Sequence, residues 1–229
     1  MQPKHKLLNT RTMIILAMIS AIAFLLAAFV RFPVFPAVPF LRYDPKDIVI
    51  VIGGFIFGPL AALIVTVVVA LVQMFTTSQT GLIGFFMNVV SGAAFACTAA
   101  LIYQRWRTLS GAVVGLVAGT IAMTIAMVLW NYILTPIFLG WPREAVVAIL
   151  VPGIIPFNVF NGVVNGALVM LAYKPVTKGL QAAGLLAAPP KNDGEKRMVF
   201  SPALIAISIF VLLSMVFWYL ATQGFFQAT

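Results

Sequence analysis

The chain has 229 residues, of which 62% are hydrophobic and 8% charged, with a formal net charge of +9. A water-soluble domain of this length has too little interior to hide that much apolar surface, so lipid must be its solvent and a sizeable soluble domain is excluded. The basic residues stand in small groups at the ends of apolar runs, a pattern that suits phospholipid head groups and membrane topology better than nucleic acid.

In chain order the apolar runs cover 13–30, 47–57, 59–76, 82–103, 110–134, 153–173 and 199–222. Helices are expected throughout, because an open sheet leaves its backbone unsatisfied in lipid and a helix needs about 20 residues to cross. The fold class is therefore an all-α integral membrane protein. The first run follows Lys4, His5, Lys6 and Arg11. It outlasts the roughly 15-residue apolar region of a secretory leader, so it is read as a crossing helix, with a cleaved leader as the alternative.

Gly58-Pro59 interrupts the longest apolar stretch and leaves two readings, one kinked helix or two helices. Positive charge decides between them. With two helices and a cytoplasmic N-terminus, Lys4, Lys6, Arg11, Arg105, Arg107, Lys174, Lys178, Lys191, Lys196 and Arg197 all lie inside. Only Arg31, Arg42, Lys46 and Arg143 lie outside. One helix would send Arg105, Arg107 and the 174–197 cluster outside, against the positive-inside tendency. The helix from Asp47 is then only about 16 Å long at 1.5 Å per residue, and neighbouring protein is expected to cover it.

The outside loops on this reading are 32–46, 77–81 and 135–152. The first and last are rich in proline and aromatic residues, among them Phe40, Phe138 and Trp141. Prolines stiffen a loop by fixing φ, which suits a lid, while interfacial anchoring is the other reading of the aromatics. Residues 1–178 form the binding domain, 179–198 a cytoplasmic linker and 199–222 an additional crossing helix.

Polar groups inside a membrane are costly, so their positions are informative. Asn158, Asn161 and Asn165 are spaced i, i+3, i+7 and share one face of a helix. Asn88 and Asn131 map to the same, outer half of the bundle. Such amides offer donors and acceptors without charge, which suits a neutral flat heterocycle stacked on aromatics drawn from Phe40, Tyr43, Trp130, Tyr132, Phe157 and Phe160. Bonding between helices is the competing role. Asp47 is placed to cap its helix, and Asp44 to pair with Arg42 or Lys46.

Small residues recur at four-residue spacing in Ala17/Ala21, Gly111/Gly115/Gly119 and Gly162/Gly166, which lets helix backbones approach closely. The glycines read as internal packing, and Ala17, Ser20 and Ala21 as a smooth patch for a partner's helix. Cys97 is the one cysteine, too few for a disulfide framework or thiolate cluster. No phosphate-loop motif occurs. No carboxylate lies mid-run, and no metal constellation or nucleophile triad can be assembled. An enzyme is not indicated, and neither a cofactor nor energy for transport is expected from this chain.

The stretch from Phe40 through Leu41, Arg42, Tyr43, Asp44, Pro45, Lys46 and Asp47 to Ile48, followed by Gly53-Gly54-Phe55 and Phe57-Gly58-Pro59, resembles riboflavin-specific S-components of energy-coupling factor (ECF) transporters. Asn131-Tyr132, Thr135-Pro136 and Pro156-Phe157-Asn158 through Gly162 add to the likeness, which spans about residues 10–178. It implies a six-helix bundle that takes riboflavin, with FMN as a further ligand, from outside. It also implies as partners a transmembrane coupling protein, which docks on Ala17 and Ala21, and two cytoplasmic ATPases. Leu41 and its neighbour Tyr43 would lie at the pocket, and Asn131 and Asn158 would match the polar contacts. The chain departs from the family pattern in having Asn161 where a lysine is usual, and in the seventh crossing at 199–222.

Overall fold

The computed structural model describes residues 9–34, 41–78, 80–185 and 202–222. Phe40 and the basic residues Lys4, Lys6, Lys191, Lys196 and Arg197 lie outside these, as does most of the 179–198 linker. Helix α1, Thr10–Phe29, starts at Asn9, whose Oδ1 accepts the Arg11 N–H at 3.3 Å. It is mostly apolar all round, yet only Thr12, Ile15, Leu16, Ile19, Ser20, Ala23 and Ala27 are buried, while Met13, Ile14, Met18 and Ile22 are exposed. This is what a lipid-facing helix requires, and it hides the inward face from any periodicity argument.

A short antiparallel hairpin follows, in which β1 (Phe32–Pro33) pairs with β2 (Arg42–Tyr43) in the register Phe32↔Tyr43. Two separate helices then flank Gly58, α2 (Lys46–Phe57) and α3 (Pro59–Thr76). Gly58 sits at φ +102°, where a Cβ would be strained, and Pro59 occupies the first turn of α3, where its missing N–H costs nothing. The two-helix expectation therefore stands. The short α2 is buried from Ile50 through Phe55, as its length demands.

Helices α4 (Gly81–Gly92) and α5 (Thr98–Trp106) are joined through a π-helical turn at Ala93–Cys97. Helix α6, Leu109–Leu139, begins at Thr108, whose hydroxyl accepts the Gly111 N–H at 3.0 Å. It continues through Pro136, and α7 (Arg143–Ile149) leads by a second π-helical turn (Leu150–Ile154) into α8, Ile155–Ala182. The expected loop 135–152 is thus mostly helical. A proline close to the end of a membrane helix removes few backbone bonds, and the neighbouring groups can be satisfied nearby. Helix α8 likewise runs past Lys178 into the stretch read as linker, and α9 covers Pro202–Thr222.

Five helical segments are long and apolar enough to cross a membrane among the described residues: 10–29, 59–76, 81–106, 109–138 and 143–182. With the short α2 they make the six-helix bundle expected from sequence, and α9 lies against α8 as the additional helix. Small residues set the closest approach. A Cβ on Gly115 would lie 2.7 Å from the Ala99 carbonyl oxygen, and one on Gly119 2.6 Å from that of Phe95, so α6 rests on the backbone of the preceding segment. Gly115→Val should therefore cost about 1–3 kcal/mol through overpacking. Gly166→Ala, whose Cβ would meet Leu116 Cβ at an ordinary 3.7 Å, should be tolerated. Melting temperatures of the two variants in detergent check the contrast.

Candidate functional site

The hairpin end of the bundle encloses a cavity of about 160 Å³. Its walls come from three elements with helical stripes. On α4 the stripe is Ile83, Gly84, Met87, Asn88 and Ser91; on α6 it is Met127, Asn131, Leu134, Thr135 and Phe138. On α8, Phe157, Asn158 and Asn161 complete the ring, and Leu41, Arg42 and Asp44 cover it from the hairpin. The opposite half of the bundle is filled: Phe55 stacks on Tyr103 at 4.2 Å between ring centroids, and the Tyr103 and Tyr173 hydroxyls are 3.1 Å apart.

Asn131 and Asn158 are each anchored to a carbonyl four residues back. Asn131 Nδ2 donates to the Met127 carbonyl at 2.8 Å, and Asn131 Oδ1 accepts the Thr135 hydroxyl at 3.0 Å. Asn158 Nδ2 donates to the Ile154 carbonyl at 2.8 Å. That carbonyl belongs to the π-helical turn ahead of α8, where the regular backbone ladder is interrupted. Asn131 and Asn158 are 0% and 2% exposed, so little water competes with a ligand for their remaining valences.

Of the residues singled out from sequence, Leu41, Asn88, Asn131, Phe157, Asn158 and Asn161 line the cavity. Tyr43 and Asn165 lie outside its lining. The Tyr43 hydroxyl donates to Asn165 Oδ1 at 3.0 Å, and Asn165 Nδ2 donates to Asn161 Oδ1 at 2.8 Å. Burial, reinforced by the Asp47 and Asp44 charges, raises the phenol pKa of Tyr43 well above its ordinary value. Phe160 is also off the cavity wall, set edge-on to Tyr43 at 5.9 Å. Tyr132 faces outward beneath Arg143, whose guanidinium carbon is 5.7 Å from the ring centroid.

The charged side of the cavity differs from the sequence reading in one respect. Asp44 pairs with Lys46, Nζ standing 2.8 and 3.0 Å from its two oxygens, and the same ammonium reaches Asn88 Oδ1 at 3.3 Å. Asp47 was expected to cap α2, but it makes no capping bond; it sits one residue inside the helix, beyond the Pro45 boundary. Its carboxylate lines the cavity, and Oδ1 is buried with no hydrogen-bond partner among the described residues. Arg31, which sequence reasoning used only for topology, also lines the cavity and donates to the Thr77 carbonyl at 3.5 Å. The apolar wall residues Met87 and Met127 were missed too, although Met127 and Asn131 at i, i+4 already marked one face.

The docking patch is partly revised. Ala17 and Ala21 are exposed on α1, but Ser20 is buried and its hydroxyl donates to the Leu16 carbonyl at 2.8 Å. Ser20 thus belongs to the interior, and the surface patch is the alanine pair.

A multi-pass helical bundle with a polar, amide-lined cavity near one end defines a membrane protein built to hold a small molecule. Residues 11–173 match the family described as ECF transporter, substrate-specific component, and the chain belongs to that family. It is 34% identical to the riboflavin transporter RibU of Staphylococcus aureus (strain TCH60), over 78% of this chain and 96% of that one. It is 30% identical to the riboflavin transporter FmnP of Bacillus subtilis (strain 168), over 73% of this chain and 94% of that one. A solved S component of a bacterial ECF transporter superposes with a TM-score of 0.63 at 35% identity, covering 76% of this chain and 98% of that chain.

Proposed function

We propose that this chain captures riboflavin from the outer side of the cell membrane and hands it on through an ECF transmembrane coupling protein driven by two cytoplasmic ATPases. The observation that carries this reading is the convergence of Asn88, Asn131, Asn158 and Asn161 on one cavity. Uncharged amides in a site walled by Phe157, Phe138 and two methionines suit a flat heterocycle with an imide-like edge. The names of the relatives point to the same ligand. Arg31 and Arg42 on the wall favour a second reading, in which FMN enters as well and its phosphate meets these cations.

A cytoplasmic N-terminus and an outward-facing cavity belong to this reading, and they are supported by the charge pattern, which on that orientation sets ten basic residues inside and four outside. Binding and release, with no covalent step, is the whole of this chain's task; energy comes from the partners. Asn158→Ala and Asn131→Ala should each weaken riboflavin binding by about 1–3 kcal/mol, since each leaves a buried flavin group unpaired. Titration of the purified protein measures it. Wild-type affinity in Asn158→Ala protein would remove this cavity from the account.

A further inference from the structure

We propose that Asn161 is a hydrogen-bond donor of fixed direction in the cavity, and that Tyr43 and Asn165 are positioning residues that hold its amide that way round. The proposal rests on the reading of the cavity as a flavin site and deepens it.

A primary amide presents a donor or an acceptor according to which way it is turned. Left alone in a cavity it can turn to suit either ligand edge, and it then discriminates poorly. Here each link constrains the next. Asn165 Oδ1 can only accept, so the Tyr43 phenol, 3.0 Å away, must donate to it. That leaves Asn165 Nδ2 to donate to Asn161 Oδ1 at 2.8 Å. Asn161 Nδ2 in turn stands 4.0 Å from the Met123 thioether, which has no hydrogen to give. Turning the Asn161 amide alone would set oxygen against sulfur and nitrogen against nitrogen; turning Asn165 with it would still set oxygen against sulfur and would take from the Tyr43 hydroxyl hydrogen the acceptor it now has.

The oxygen of Asn161 is therefore occupied behind the wall, while its Nδ2 carries a second N–H for the cavity it lines. Tyr43 and Asn165 are 4% and 0% exposed, so solvent does not supply an alternative partner. The raised phenol pKa keeps Tyr43 protonated, and so a donor, throughout the physiological range. The ligand atom that complements this arrangement is an acceptor, a ring carbonyl oxygen, and not a ring N–H. Tyr43 lies on the hairpin and Asn165 on α8, so the direction is set only when the hairpin is docked.

The test compares riboflavin with its 2-thio and 4-thio analogues, in which sulfur replaces one carbonyl oxygen and accepts poorly, using titration of the full purified chain. The unmodified protein should bind at least one analogue about tenfold more weakly than riboflavin. Tyr43→Phe should lose about tenfold in riboflavin affinity and most of that discrimination, because the amide is then free to turn. In an N161K background, where the donor has no acceptor end, Tyr43→Phe should leave the discrimination unchanged. Asn161→Asp, the same shape without a donor, should lose discrimination as well, which covers the case in which Tyr43→Phe fails to fold. Equal losses for all three ligands in Tyr43→Phe, or discrimination retained in Asn161→Asp, would overturn the proposal. An unmodified chain that binds no flavin overturns the riboflavin reading itself, a result recognisable before any variant is made.

Discussion

Placing tryptophan at Ala17 or Ala21 should reduce riboflavin uptake by cells to background while leaving riboflavin binding by the purified protein unaltered. Both alanines are exposed on α1, one turn apart and away from the cavity. Small residues at this spacing make a shallow groove in which a second helix can seat its backbone, and a bulky ring at either position fills it. The same ring facing lipid costs the isolated chain little, since α1 already exposes Met13, Ile14, Met18 and Ile22 there. Uptake at wild-type rates would exclude this groove as the contact with the coupling protein. Loss of binding together with uptake would mean that the fold, and not the docking, had been damaged.

Lys46→Met should be the most destabilising single change at the cavity, lowering stability by about 3–5 kcal/mol. Lys46 and Asp44 are both buried, and Asp47 lies beside them with one oxygen unpartnered among the described residues. Removing the ammonium leaves two carboxylates out of water with no other ion pair among the described residues, which costs far more than the pair itself contributes. It also frees Asn88 Oδ1. The double variant Lys46→Met/Asp44→Asn should recover much of the loss, because it removes the charge along with its partner. Melting temperatures of the two ligand-free proteins at one scan rate decide the matter: equal melting points would show that Asp44 is not the group being neutralised.

The architecture was legible where covalent constraints speak locally. Gly58 and Pro59 mark a break that any backbone must respect, and two separate helices flank it. The glycines at 111, 115 and 119 announced their role for the same reason, since only a missing side chain lets two helices come this close. Asn158 and Asn161 could be placed on one face because 100° per residue is a property of the helix and not of its surroundings.

What stayed hidden depends on partners distant in sequence. Asn165 shares the face of Asn158, yet it is turned to Tyr43, 122 residues away, and the spacing alone cannot tell a lining amide from one behind the wall. Asp47 had the position of a helix cap, but the cavity, not the backbone, is its neighbour. The π-helical turn at Ala93–Cys97 left no compositional mark, whereas the one at Leu150–Ile154 holds Pro152-Gly153, which in sequence reads as a loop or helix start and not as a π turn. Arg31 was counted for its sign, and only the folded chain shows it reaching back to Thr77.

Helix α9 has a consequence for assembly. It covers a flank of α8 and meets the hairpin, with the Tyr219 ring 5.8 Å from that of Phe32. The solved S component that this chain resembles is matched over 98% of its own length by only 76% of this chain. A membrane partner sliding in along the bilayer from the α8 side would collide with this extra column before touching the bundle. That approach is shut, whereas the face of α1 that carries Ala17 and Ala21 remains accessible from the lipid plane.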